Sequence, residues 1–179
     1  MAVQSILATS GTDLFDDVNS WVSPNDITSD DASLVTRASC AYSHPGFPAS
    51  DKLRGTFSGF TIPPTGILTG LVFSFRRQSP GNTSITDGVI ILAISGVEVG
   101  DNKSLSATWD NTAPEVVSYG SAVDLWNSGV TIGDLNAGLV SVDMSAFAGV
   151  LGSTILANGF RLDAYFSGKT SFVSVQTDG

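Results

Sequence analysis

The run Arg54–Arg77, RGTFSGFTIPPTGILTGLVFSFRR, decides the fold class. From Ile67 onward the odd positions carry Ile67, Leu71, Phe73 and Phe75, and the even ones include Gly70, Ser74 and Arg76. A period of two is that of a strand with one buried face. Upstream, Phe57 and Phe60 lead through Ile62 into Pro63 and Pro64. Consecutive prolines donate no ladder hydrogen bonds and so belong at a strand end or bend. Two core strands joined through a Pro-Pro-Thr-Gly corner are therefore expected, with Arg76 and Arg77 closing the second. Each buried Phe contributes about 1.5–3 kcal/mol, so the four phenylalanines of this run form a large part of the core.

The rest of the chain extends the same pattern. Ser33–Tyr42 reads as a strand, Ser84–Ser95 as a strand covered on both faces by its apolar run Val89–Ile94, and Val97–Gly100 as its hairpin partner across Gly96. Leu139–Met144 is a further strand, with Val140, Val142 and Met144 on one face and Leu139 on the other. Ala146–Ile155 is a loop or a single helical turn, and the one place where a helix is tolerated. In Gly159–Gly168, Phe160, Leu162, Ala164 and Phe166 alternate with Arg161, Asp163 and Tyr165. Thr170–Gln176 is expected to pair back on it across Ser167–Lys169. Nine or ten short-spaced strands without helical crossovers predict an all-β, antiparallel β-sandwich, with a jelly roll as the first choice. Residues 1–12 are expected to be an N-terminal arm, which can supply a strand around Val3–Leu7 or dock elsewhere, and residues 13–179 a single sandwich domain.

Composition narrows the function. Only 14% of the 179 residues are charged, against about 25% in ordinary soluble domains, so the surface is finished with small polar residues or covered by a partner. Eight Lys and Arg against 17 Asp and Glu leave a net charge of −9. That sign argues against nucleic acid or an anionic membrane surface as partner. The start, MAVQSILATSGTD, lacks the basic residue of a secretory signal. No apolar run of about 18 residues occurs for a membrane helix.

Chemistry-bearing residues are few. Cys40 is the sole cysteine and His44 the sole histidine; zinc needs three or four ligands, so neither a disulfide nor a zinc site is expected. Asp13, Asp16, Asp17, Asp26, Asp30 and Asp31 near Trp21 raise calcium, which takes six to eight oxygens, but their spacing fits no EF-hand loop and solvated acidic turns explain them as well. A Ser-His-Asp triad would need His44 as base, and Ser43-His44-Pro45 is no nucleophile motif. Asp143 and Asp163 are the acids a glycosidase-like pair could draw on. The expectation is a non-enzymatic protein without a cofactor. Trp109, Tyr119 and Trp126, with Asp110, Asn111 and Asp124 beside them, are the candidate ligand-stacking residues, since aromatic rings among turn residues can form a sugar platform; the alternative is that they plug the end of the sandwich.

The series Gly59-Phe60-Thr61-Ile62-Pro63, Gly70, Arg76, Asp87, Gly96, Gly100, Trp109, Tyr119-Gly120, Asp124-Leu125-Trp126, Asp134 and Asn136, preceded by Trp21, Pro24 and Ile27–Ala32, resembles a recurring pattern in structural proteins of tailed bacteriophages. The resemblance covers about Trp21–Asn136 and rests on order and spacing. It implies a virion structural protein, either a capsid decoration (cement) protein or a tail or neck accessory protein, built in the host cytoplasm and located in the virion. Its partners would be the major capsid or tail proteins and other copies of itself, with a trimer favoured. It carries no catalytic residues over. Such chains often continue into a further terminal strand, which here could come from the N-terminal arm or a neighbouring subunit. The alternative function is a carbohydrate- or receptor-binding module of a phage appendage.

Overall fold

In the computed structural model, the Pro63–Pro64 corner carries the chain from one sheet to the other. The structure describes residues 1–14, 19–34, 37–41, 49–81, 84–148 and 150–168. Strand β5 (Lys52–Thr56) lies in a five-stranded sheet and β6 (Ile67–Gln78) in a six-stranded one. Between them no ladder is possible at the prolines. Instead the Asn136 side chain clamps Ile62, accepting from its N–H at 2.9 Å and donating to its carbonyl at 2.8 Å.

The remaining strands are β1 (Ala2–Leu7), β2 (Ser10–Leu14), β3 (Trp21–Val22), β4 (Ala38–Ala41), β7 (Ile85–Ile94), β8 (Val97–Val99), β9 (Glu115–Ser121), β10 (Val140–Ala148) and β11 (Thr154–Ser167). The order β4-β11-β6-β9 faces the order β5-β10-β7-β8, with every pairing antiparallel. Two such four-stranded layers are the jelly-roll arrangement. β3 extends the first layer beyond β4, and β2 the second beyond β5. Residues 1–12, expected as an arm, carry β1, which pairs with β11 from Ala2↔Phe166 to Leu7↔Arg161, and most of β2. The expected Thr170–Gln176 strand lies outside the described residues.

Three single-residue insertions break the simple alternation. Gly88 is extra in β7 against Ser145–Ala146 of β10, so Ile85 and Asp87 point inward before it, and Ile90 and Leu92 after it. Gly159 and Phe160 of β11 share one position opposite Phe75, with Gly159 at φ +62°, as a bulge requires. Thr69 is extra in β6, which turns Ile67 out to 65% exposure and leaves Leu68 against the core. The expected inward Ile67 is thus corrected by a bulge that period counting cannot register.

Other expectations also shift. Ser33–Tyr42 reduces to Ala38–Ala41 among the described residues. The described residues of Ala146–Ile155 hold no helix: β10 runs on to Ala148, with Ala146 and Ala148 fully buried, and β11 begins at Thr154. Pairing from both sides overrides the low strand propensity of this Ser- and Ala-rich run. The one α-helix among the described residues, α1 (Ile132–Asn136), sits earlier, where Thr131 and Asp134 form a reciprocal capping box and Ile132 and Leu135 are buried.

The core is aromatic. Phe73 stacks on Phe75 (centroids 5.5 Å) and meets Phe160 edge-on (5.1 Å), while Phe57 closes on Phe73 from the other sheet's side (6.4 Å). Phe73 is fully buried, so we expect Phe73→Ala to cost about 3–5 kcal/mol in urea denaturation. Val116→Ala, at an exposed position of β9, should stay within about 0.5 kcal/mol.

Candidate functional site

The three rings singled out in the sequence are core side chains. Trp109, Tyr119 and Trp126 are at most 3% exposed, so none presents a face to a ligand and the plug reading describes them. Asp87, brought inside by the Gly88 bulge, explains two of them. Its Oδ1 accepts from Arg77 Nη1 (2.5 Å) and Trp109 Nε1 (2.8 Å), and its Oδ2 from Tyr119 OH (2.9 Å) and the Leu105 N–H (2.9 Å). Arg77, expected as a strand end, is 2% exposed; it also donates to Glu115 (2.8 Å) and its guanidinium carbon lies 5.1 Å from the Trp109 ring centroid. Burial, then the charge of Asp87, pushes the Tyr119 hydroxyl pKa well up. Trp126 donates from Nε1 to the Leu71 carbonyl at 3.0 Å and lies against Gly120, where a Cβ would stand 2.3 Å from that nitrogen. The polar residues beside these rings cap turns: Asp110 Oδ1 accepts from the Thr112 and Ala113 N–H groups, the Asn111 carbonyl accepts from Gly81, and Asp124 accepts from the Trp126 N–H and pairs with Lys103.

The acidic candidates disperse as well. Asp30 pairs with Arg76 and Arg161, Asp31 accepts from Ser33, and Asp13 accepts from the Trp21 N–H. Among the described residues no three His, Cys, Asp or Glu side chains gather to hold a metal; Asp16, Asp17, Ser43 and His44 lie outside them. Asp143 faces outward from the five-stranded sheet and Asp163 outward from the six-stranded one. Packed sheets stand about 10 Å apart, so two carboxylates on opposite outer faces cannot flank one scissile bond.

The two outer faces differ. On the five-stranded sheet, Arg54 on β5 binds Asp143 of β10 through Nε and Nη2, both at 2.6 Å, and reaches on to the Gly96 carbonyl. Lys52, also on β5, reaches Glu98 of β8 at 2.5 Å. These two side chains span the middle strands, and beneath them Asp143 and Ala93 are fully buried while Ser141 and Ser145 are nearly so. The hydrogen bonds that Arg54 donates to Asp143 raise its pKa. This face is closed by its own side chains.

The outer face of the six-stranded sheet is part-exposed along β11. Arg161, Asp163 and Tyr165 project from β11, all part-exposed, with Ser74, Val72 and Gly70 of β6 opposite them and Leu7, Ser5 and Val3 of β1 on the other side. Across the Gly70 end folds the backbone of Ser121–Ala122, since a Cβ on Gly70 would meet it at 2.2–2.3 Å. At the other end Asp30 sits against Gly159 and pairs with both Arg76 (3.3 Å) and Arg161 (3.1 Å). Two polar atoms on this face are shut from solvent and make no hydrogen bond: Asp163 Oδ1 and Arg76 Nε. Buried polar atoms are ordinarily satisfied, so these two mark a place where the fold leaves bonding capacity unused. Alternation places Tyr165, Arg161 and Asp163 outward, and of these only Asp163 is a candidate from sequence, as an acid, because nothing in a strand's alternation tells a part-exposed face from one roofed by lysine and arginine.

No protein-family model matches the chain, and no curated protein matches it. Solved structures similar to it include the CBM22-1 xylan-binding domain from Paenibacillus barcinonensis Xyn10C, at 7% identity over 90% of this chain and 92% of that one, with a TM-score of 0.46. A family 35 carbohydrate binding module from Clostridium thermocellum is 10% identical over 90% and 98% of the two chains, with a TM-score of 0.44. The enzymatically active domain of bacteriophage CBA120 tailspike protein 4 is 11% identical over 89% of this chain and 19% of that one, with a TM-score of 0.41.

Cys40 gives a pH dependence. Its Sγ donates to the Asn19 carbonyl, and burial, reinforced by Asp51 and Asp13, pushes its pKa from 9.0 up to about 12. Below pH 9 both folded and unfolded chains hold the proton and stability is unaffected. Between about 9 and 12 only the folded chain holds it, so stability falls as pH rises, by at most about 1.4 kcal/mol per pH unit. We expect the urea midpoint to fall between pH 8.5 and 10.5 more steeply in the native sequence than in Cys40→Ala.

Proposed function

We propose that this chain is a non-enzymatic carbohydrate-binding module whose ligand lies on the outer face of the six-stranded sheet, against Tyr165. The supporting observation is the row Arg161, Asp163 and Tyr165 on β11, all part-exposed, which sets a guanidinium and a carboxylate beside an aromatic ring on one outer face. A sugar ring offers an apolar C–H face to an aromatic and hydroxyls to a carboxylate, and a few placed polar groups within an otherwise apolar surface set orientation. Val72 and Ser74, part-exposed, lie opposite Asp163 and Arg161, and the Ser121–Ala122 backbone bounds the Gly70 end, so an extended ligand can run along β11. The buried Trp109, Tyr119 and Trp126 hold the scaffold and do not touch the ligand in this reading.

A second reading, the virion structural protein, is favoured by a different observation. Val97 on β8, Val116 on β9, Val123 in the following loop and Val22 on β3 are each 57–77% exposed, at or near the sheet edges where further subunits or strands would add. In this reading the chain is a capsid decoration or tail or neck accessory protein, located in the virion and working as a homo-oligomer, a trimer by closed symmetry, with capsid or tail proteins as partners. Light scattering is expected to give an oligomer, and the protein should co-purify with particles; a monomer absent from virions overturns this reading.

For the first reading, a glycan array followed by calorimetry is expected to find a bound glycan whose affinity drops at least tenfold in Tyr165→Ala. The variant should melt within a few degrees of the native chain, because the ring is not part of the core cluster. An array without binding, or affinity unchanged in Tyr165→Ala, overturns it.

A further inference from the structure

We infer that the ligand of this face is an acidic oligosaccharide, with a carboxylate held at the Arg76–Arg161 end and a neutral sugar ring at Tyr165. The inference rests on the reading of this face as a glycan site and adds the ligand's charge and length.

The argument starts from how the chain uses its few cations. With eight Lys and Arg against 17 Asp and Glu, most described cations in ion pairs are matched or outnumbered by carboxylates: Arg77 by Asp87 and Glu115, Lys103 by Asp101 and Asp124, Arg54 by Asp143, Lys52 by Glu98. Asp30 is the exception. It is shared between Arg76 and Arg161, at 3.3 and 3.1 Å, one oxygen to each. In direct ion pairs this end therefore sets two guanidiniums against one carboxylate, on a protein of opposite overall sign.

The arginines also retain donors. Each arginine reaches Asp30 through Nη2. Arg161 keeps 43% of its side chain exposed. A guanidinium presents its donors as a planar fork that matches a carboxylate, and a second carboxylate arriving here completes the charge balance that Asp30 begins.

Asp163 sets the polarity of the ligand. It lies two positions from Arg161 toward Tyr165 and would repel a carboxylate placed over it, while the exposed part of its carboxylate accepts from a sugar hydroxyl. The acid therefore belongs at the arginine end and a hydroxyl-bearing ring at the tyrosine end. Arg161 and Tyr165 are four residues apart along β11, or about 14 Å at the rise of an antiparallel strand. One sugar ring cannot cover that span, so the ligand is an oligosaccharide lying along the strand.

The test compares acid and ester forms of the same sugars by calorimetry: tetragalacturonate and a sialylated lactose, each against its methyl ester, with xylotetraose as a neutral chain. We expect one of the acids to bind, its ester to bind at least tenfold more weakly, and Arg161→Gln to remove most of that difference. The acid that binds separates uronate from sialate as the source of the carboxylate. Equal binding of acid and ester, or binding of xylotetraose alone with sensitivity to Tyr165→Ala, overturns the inference and leaves the carbohydrate-binding reading standing. Binding of none of these probes overturns the inference, and the glycan array then decides the broader reading independently.

Discussion

The constraint on which the rest of this structure depends is that long strands must keep apolar side chains inward over their whole length. A strand's phase is binary, so one inserted residue exchanges its two faces. In β7, β11 and β6 the insertions at Gly88, Gly159 and Thr69 reset the phase once each. The Gly159 bulge lets Ile155 and Ala157 face inward before it, and Phe160, Leu162 and Ala164 after it. The same reset sends Arg161, Asp163 and Tyr165 outward in one row. Core and candidate site are thus two consequences of one backbone irregularity.

The Gly88 bulge has the opposite effect on a polar residue, committing Asp87 to the interior. A buried carboxylate is tolerable only when its oxygens are fully satisfied, and here four donors converge on it from β6, β9 and the segment 105–109. Removing one partner of such a buried pair costs about 3–5 kcal/mol, so the network fixes the relative positions of these segments rather than adding freely to stability. It also accounts for aromatic residues among turn residues without any ligand: Trp109 and Tyr119 carry a polar handle that reaches Asp87 while their rings pack on Phe75.

The architecture was legible in the chain wherever alternation ran unbroken. Leu71, Phe73 and Phe75, and Phe160, Leu162 and Ala164, face inward as the period of two requires, and the Pro63–Pro64 corner does separate strands of different sheets. What alternation could not convey was anything set by a neighbouring strand. The extension of β10 through Ala146 and Ala148 depends on pairing with β7 and on the Ala49–Phe147 bridge. The helix at Ile132–Asn136 carries its signal in Thr131 and Asp134, a capping-box spacing over a single short turn of helix. The candidate site was the least legible part: its residues come from β6, β11 and the segment around Asp30, and only the fold brings Arg76, Asp30 and Arg161 together.

The low charge fraction takes on a different meaning once the two faces are compared. On the five-stranded sheet, Lys52 and Arg54 are spent against Glu98 and Asp143 in closing the surface over small residues. On the six-stranded sheet, two arginines share a single aspartate and the row along β11 stays part-exposed. A chain that merely needed solubility would have no reason to distribute scarce cations so unevenly, because net charge governs colloidal behaviour whatever its placement. Placement matters for recognition, where a guanidinium on a partly desolvated sheet acts at close range and is screened less than one in bulk solvent. The exposed valines at the sheet edges and the polar row along β11 are separate surfaces, so edge-to-edge assembly would leave the row accessible. Binding of a ligand to the face and association through the edges are therefore compatible demands on one sandwich.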